Sequence, residues 1–225
     1  MNTAAQDYAN KGDVYFGNER RDIARLLPPH AARVLEVGCG SGATLQWLKA
    51  SGRCDTTVGI ELFEDAAALA RTRIDELHVG NAEALIDGLI GGAFAPASFD
   101  LVLCLDVLEH LVDPWTFVAK LQNLMKPGAL LVTSIPNVRH IRVLLPLLLA
   151  GRWRYENSGL LDRTHLRFFT RESALALVSP PGLRLQDWSR RLPPLASKSG
   201  ALNALTLGLL RDLFTMGFFT ASRKD

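Results

Sequence analysis

The stretch Val34-Leu35-Glu36-Val37-Gly38-Cys39-Gly40-Ser41-Gly42 constrains this chain more than any other. An apolar run with strand character passes without a break into alternating glycines. Glycine removes the Cβ and permits positive φ, so a strand that ends this way feeds a loop whose backbone approaches something closely. Gly38-x-Gly40-x-x-Ala43 also satisfies the G-x-G-x-x-G/A dinucleotide pattern, and Glu61 lies 23 residues beyond Gly38, near where a ribose-binding acid is expected. The loop alone does not separate one nucleotide-like cofactor from another.

Around that loop the chain alternates short apolar runs with helical periodicity, the signature of an α/β fold. Strands are expected at Arg33 to Val37, Thr57 to Glu61, His78 to Gly80, Phe99 to Leu105, Ala129 to Ile135, Leu183 to Ser189 and Phe214 to Ser222. Helices are expected at Asn18 to Leu27, Ala43 to Ala50, Ala66 to Leu77, from Asn81 onward, Pro114 to Met125, Arg171 to Val178 behind Thr170 as N-cap, and near Leu202 to Leu213. Lys126-Pro127-Gly128 reads as the turn that ends the Pro114 helix. Residues 138–170 interrupt the rhythm with an apolar first half and an aromatic, basic second half, and read as an inserted substrate cap.

At 225 residues, 48% apolar and 21% charged, the chain supports one elaborated domain spanning 1–225. A net charge of +2 with no long run of one sign argues against a nucleic-acid partner. Three irregularly spaced cysteines and a polar N-terminus fit a reducing, cytoplasmic location. The apolar stretches Ile141 to Ala150 and Ala201 to Phe219 are too short or too interrupted to span a membrane, though a peripheral contact remains open.

Glu36 would crowd negative charge onto the pyrophosphate of a dinucleotide, whereas it suits a cationic ligand carrying an amino group. Glu36-Val37-Gly38-x-Gly40-x-Gly42 resembles motif I of the class I S-adenosylmethionine-dependent methyltransferases, an acid and one apolar residue before G-x-G-x-G. Two further segments resemble that family. Gly80-Asn81-Ala82-Glu83 stands where it commonly has Gly-Asp-Ala-Glu, and Asp106-Val107-Leu108-Glu109-His110-Leu111-Val112-Asp113-Pro114 looks like the L-E-H-x-x-D-P segment of its small-molecule branch, which includes ubiquinone-biosynthesis O-methyltransferases. Gly159 to Thr170 is similar to a segment of bacterial methyltransferases that accompany glycan synthesis.

The resemblance implies a doubly wound, seven-stranded, mostly parallel Rossmann-like sheet with an antiparallel last strand and an inserted helical cap. It implies S-adenosylmethionine held by Glu36, Gly38, Gly40, Gly42, Glu61, Leu62, Asn81, Ala82 and Asp106. Glu61 would accept from the ribose hydroxyls, and Asn81, replacing an acid, from the adenine amino group.

For the acceptor side, His110 beyond the fourth strand is the expected general base, with Asp162 and His165 of the cap as alternatives and Asn137 orienting the acceptor. Glu109 reads as an acid favoured by a helix dipole. No ligand spacing suggests a metal. The segment Val138 to Glu172 holds seven arginines, Arg139, Arg142, Arg152, Arg154, Arg163, Arg167 and Arg171, against Glu156, Asp162 and Glu172, a local +4 that would suit an anionic small-molecule acceptor. Tyr8, Tyr15 and Phe16 are candidates for a gate over the cofactor. Two other readings stay open: an NAD(P)-dependent oxidoreductase, and a non-catalytic membrane or protein interaction module using the apolar Ile141 to Leu149 helix. The sequence leaves the oligomeric state open.

Overall fold

The structure, a computed structural model, describes residues 19–192 and 210–225. Tyr8, Tyr15 and Phe16 lie outside the described residues, as does most of the helix expected near Leu202. The elements are β1 (Ala31–Val37), α1 (Ala43–Ala50), β2 (Cys54–Glu61), α2 (Glu64–Ala70), β3 (Glu76–Val79), α3 (Ala82–Leu89), β4 (Phe99–Leu105), α4 (Pro114–Leu124), β5 (Met125–Pro136), α5 (Ile141–Ala150), α6 (Arg171–Leu177), β6 (Leu183–Arg191), α7 (Arg211–Phe214) and β7 (Gly217–Lys224).

The strands form one seven-stranded sheet in the order β3-β2-β1-β4-β5-β7-β6. The first five are parallel, and β7 runs antiparallel to both β5 and β6. This is the Rossmann-like sheet that the sequence led us to expect. Alternation along β1 explains how both faces are covered. Leu35 and Val37 join a cluster with Val58, Val102, Phe117 and Leu121, while Val34 joins the opposite cluster with Ile23, Leu45, Leu48 and Leu103. The strand order reverses between β1 and β4, so their carboxyl ends open the crevice where ligands of such sheets collect.

Several boundaries differ from the expected ones. The helix expected over Ala66 to Leu77 stops at Ala70, and β3 begins at Glu76. The Asp75 carboxylate accepts from the Thr57 amide and hydroxyl, both at 2.9 Å, and so pulls the chain alongside β2 before another helical turn can form. Lys126-Pro127-Gly128 does not end a helix but lies inside β5, where Gly128 has φ +80° and the pairing with β4 shifts register between Phe99 and Leu101. The first helix is a 3-10 helix over Arg21–Leu26, and β7 begins after the buried Phe214.

In the cap, α5 is the one helix and residues 151–170 are irregular. Leu148 and Leu149 of α5 are exposed, and no helix among the described residues is long and apolar enough to cross a membrane. Thr170 is the N-cap of α6 as expected, closing a reciprocal box with Ser173. All three cysteines are buried and unbridged.

Candidate active site

The chain leaves β1 into a loop folded over the end of β2. The amides of Gly38 and Cys39 both donate to the Ile60 carbonyl, at 2.8 and 3.1 Å. Gly38 has φ +68°, and a Cβ there would stand 2.6 Å from Cγ2 of Val107, so both its conformation and its contact demand glycine. Glu61, at the end of β2, clamps the loop. Its Oε2 accepts from the Gly40 amide at 2.8 Å and its Oε1 from Phe63 at 2.9 Å. With two lone pairs on each oxygen, the carboxylate keeps acceptor capacity for a ligand hydroxyl.

Glu36 is 3% exposed, and its Oε2 has no hydrogen-bond partner among the described residues. Burial, reinforced by Glu61 and opposed by Arg20, pushes this carboxyl up to about 8. An orphaned buried carboxylate beside a loop stripped of side chains fits a ligand that brings positive charge and an N–H donor. The methionine end of S-adenosylmethionine has both.

Asn81 is the N-cap of α3, its side-chain oxygen accepting from Ala84 at 3.1 Å, so one lone pair of that oxygen serves the helix. Ala82 opens α3, and Leu62 is 47% exposed at the rim of the β2 end. Glu83 accepts from the amides of Val112 and Asp113, at 2.9 and 2.8 Å, tying α3 to the loop after β4.

That loop begins at Asp106, whose φ of +56° is a conformation L side chains rarely adopt. Its carboxylate accepts from Ser134 Oγ at 2.6 Å, from Arg20 at 2.7 Å and from Arg191 at 3.4 Å. Burial works to raise this carboxyl, but Arg20 and Arg191 hold it below the usual range. Glu109 and His110 follow in a single 3-10 turn, Leu108–His110, while Asp113 caps α4. Glu109 is therefore not the helix-start acid that was expected. It is 1% exposed, its Oε2 has no hydrogen-bond partner among the described residues, and burial, with Asp106 nearby, pushes its carboxyl well up.

The cap brings His165 onto this turn. Ligand atoms of Glu109, His110 and His165 all lie within 4.8 Å of one another, and the two imidazoles stand edge to face with centroids 4.7 Å apart. The amides of Leu166 and Arg167 donate to the Glu109 carbonyl, both at 2.9 Å, and so fix this cap segment against the turn. Of the proposed acceptor-side residues, the structure thus unites His110 and His165 and adds Glu109.

Asp162 is engaged with the cap's own framework, and Asn137 ties the start of the cap to the segment before β7. Asp162 accepts from the Thr164 amide and hydroxyl, at 2.9 and 2.6 Å. Asn137 donates to the carbonyls of Asp212 and Thr215, at 2.8 and 2.9 Å, and accepts from the Arg139 amide at 3.0 Å.

Beside the carboxyl end of β5, a cavity of about 300 Å³ is lined by Arg139, Arg171, Arg190, Arg211 and Asp212. Asp212 pairs with both Arg171 and Arg190 at 2.9 Å, leaving an excess of guanidinium charge. Arg139 and Arg171 belong to the basic segment Val138 to Glu172. Arg190 and Arg211 come from outside it, which is why reading that segment alone missed them.

Comparison with known proteins agrees with this geometry. A family described as "Methyltransferase domain" matches residues 15–186. A ubiquinone biosynthesis O-methyltransferase of Xylella fastidiosa is 30% identical over 180 residues, which span 75% of this chain and 71% of that protein. An S-adenosylmethionine-dependent methyltransferase from Mesorhizobium loti superposes with a TM-score of 0.63 at 19% identity, covering 90% of this chain and 96% of that one. A further one, from Archaeoglobus fulgidus, gives 0.62 at 16% identity with both chains fully covered. The two solved structures match in fold.

Proposed function

The chain belongs to the methyltransferase-domain family, and from that premise we propose that it transfers a methyl group from S-adenosylmethionine to an oxygen of a small, anionic acceptor in the cytoplasm. The observation that carries the reading is the buried Glu36 with its unpartnered Oε2, set against the Glu61-clamped glycine loop. That pairing suits a cationic amino-acid tail and a ribose in one ligand. The same carboxylate would repel a pyrophosphate held at the glycine loop, which disfavours the oxidoreductase reading.

Bound S-adenosylmethionine supplies an electrophilic methyl together with its own leaving group. What the chain adds is placement. Gly38, Gly40 and Gly42 let the backbone close on the ligand, Glu36 and Glu61 fix its two polar ends, and Leu62 borders the rim. Holding two reacting centres in line lowers a barrier by about 7 to 11 kcal/mol. The acceptor hydroxyl stands at the Glu109, His110 and His165 cluster, the basic groups nearest the end of β4. The arginine cavity beside β5 holds its anionic part, since guanidinium groups bind carboxylate or phosphate through paired hydrogen bonds. Oxygen as the acceptor atom is supported by the O-methyltransferase relative and by the three convergent basic groups.

The test is a transfer assay with labelled methyl donor over quinols, glycan precursors and small acids, run beside calorimetry with S-adenosylmethionine and NADH. Donor binding with label moving to a hydroxylated acid is the expected result. Tight NADH binding without donor binding refutes the proposal, and binding of neither cofactor favours the interaction module.

A further inference from the structure

We propose that the arginine-lined cavity beside the carboxyl end of β5 binds a diphosphate group, so that the methyl acceptor is a diphosphate ester rather than a simple carboxylic acid. The inference deepens the acceptor side of the proposed function and rests on that reading for its place in methyl transfer.

Asn137, directly after β5, builds the frame of the cavity. It is 1% exposed, its amide nitrogen donates to the carbonyls of Asp212 and Thr215, and its oxygen accepts from the Arg139 amide. One buried side chain thus holds the start of the cap, which carries Arg139, against α7, which carries Arg211 and Asp212. The other two arginines are oriented by Trp188 of β6. The guanidinium of Arg190 lies 4.6 Å from the centre of that ring and the guanidinium of Arg171 lies 5.9 Å from it, while Asp212 pairs with each at 2.9 Å. Guanidinium groups that are stacked and paired have their planes set before a ligand arrives, which lowers the cost of binding it.

Charge and shape then select the ligand. Arg139, Arg171, Arg190 and Arg211 face the single carboxylate of Asp212, a surplus of three positive charges. Asp212 is shared by Arg171 and Arg190, and among the described residues Arg139 and Arg211 pair with no carboxylate. A carboxylate ligand brings one charge and two oxygens in one plane, enough for one guanidinium fork. A phosphate monoester already brings about 1.5 to 2 charges and three acceptor oxygens. Two bridged phosphoryl groups add to both and present their oxygens in several directions. Guanidinium groups arriving from the cap, α6, β6 and α7 require that spread. A volume of about 300 Å³ is at the small end for a ligand site, so the cavity takes the diphosphate and leaves the rest of the ester outside it. The neighbouring strand is β4, whose end carries the proposed site for the acceptor hydroxyl. The diphosphate serves as a handle, and no bond to phosphorus changes.

The experiment is calorimetry on the full chain, without methyl donor and in the presence of a chelator, with inorganic pyrophosphate, phosphate and acetate as probes. One equivalent of pyrophosphate is expected to bind, at least about tenfold more tightly than phosphate or acetate. Arg139→Gln and Arg211→Gln change exposed side chains and should each weaken it about tenfold. Arg71→Gln removes the same charge just after α2, which packs on β2 and β3 away from the cavity, and should leave binding unchanged. Uridine diphosphate and geranyl diphosphate form the two further arms. Binding of at least one is expected, and the tighter tells whether a nucleotide or a lipid carries the group. No uptake of pyrophosphate, acetate bound as tightly, an equal loss in Arg71→Gln, or rejection of both esters overturns the site. No readout involves methylation, so failure of the proposed activity would appear separately in the labelled-methyl assay.

Discussion

Replacing Gly38 with alanine should strain the loop twice over, and the two strains can be separated. The backbone at φ +68° is left-handed, which costs an L side chain about 1 to 2 kcal/mol. The new Cβ would also lie 2.6 Å from Cγ2 of Val107, roughly 1 Å inside an ordinary carbon contact. Relieving that overlap costs about 1 to 3 kcal/mol more. We expect a loss of about 2 to 5 kcal/mol in urea unfolding, or a melting point lowered by roughly 4 to 20 °C for a chain of this size. Val107→Ala alone removes two methyl groups at a cost of about 1.5 kcal/mol. In the double variant the overlap is gone while the backbone strain remains. The two changes should therefore be less damaging together than their sum by at least about 1 kcal/mol. Additivity within about 0.5 kcal/mol would refute the argument that Val107 is what Gly38 accommodates.

Other consequences follow from single contacts. Glu36 binds its proton more tightly folded than unfolded, so the unfolded chain holds fewer protons between pH 4.5 and about 8 and stability falls as pH rises through that window, by up to ~1.4 kcal/mol per unit. Glu36→Gln should flatten that slope in a denaturation series and abolish donor binding by calorimetry; an unchanged slope refutes the assignment. Asn81→Ala should cost about 1 kcal/mol through the lost cap of α3, whereas Asn81→Asp should keep the cap, and equal melting points would remove that role. His110→Ala should leave donor affinity unchanged and reduce turnover at least about tenfold; full turnover would take His110 out of the chemistry. Arg190→Ala should raise KM for an anionic acceptor with little change in kcat, and an unchanged KM would place the anion elsewhere.

What the sequence made readable was local. Val34 to Gly42 announces a strand and a tight loop within nine residues, and Thr170 announces a cap three residues before its partner Ser173. Errors arose where a distant side chain intervened. The expected helix through Leu77 loses its last two turns or so to Asp75, whose partners lie on the neighbouring strand at Thr57. Pro127 and Gly128 look like a turn by composition, yet β5 pairs with β4 on both sides of them, at Met125 and at Leu130, so they form an irregularity within the strand. Glu109 was misread because its helix-start appearance is local, whereas its burial depends on the cap folding back through Leu166 and Arg167. Nothing in the spacing of Glu109, His110 and His165 marks them as one cluster.

The same residues explain how the two halves of the site are joined. Val107 touches the position that Gly38 must leave empty, and one residue earlier Asp106 is held in a left-handed conformation by Arg20, Ser134 and Arg191. Two residues later Glu109 enters the cluster with His110 and His165. A backbone pinned this tightly at Asp106 gives the chain little freedom to move Val107 without also moving Glu109. Filling of the glycine loop should therefore be felt at the acceptor face through a segment of four residues. Gly38→Ala, which presses on Val107, should accordingly lower methyl transfer even at saturating donor, and Val107→Ala in the same chain should restore it. Transfer at saturating donor unaffected by Gly38→Ala would show that the loop and the cluster respond independently.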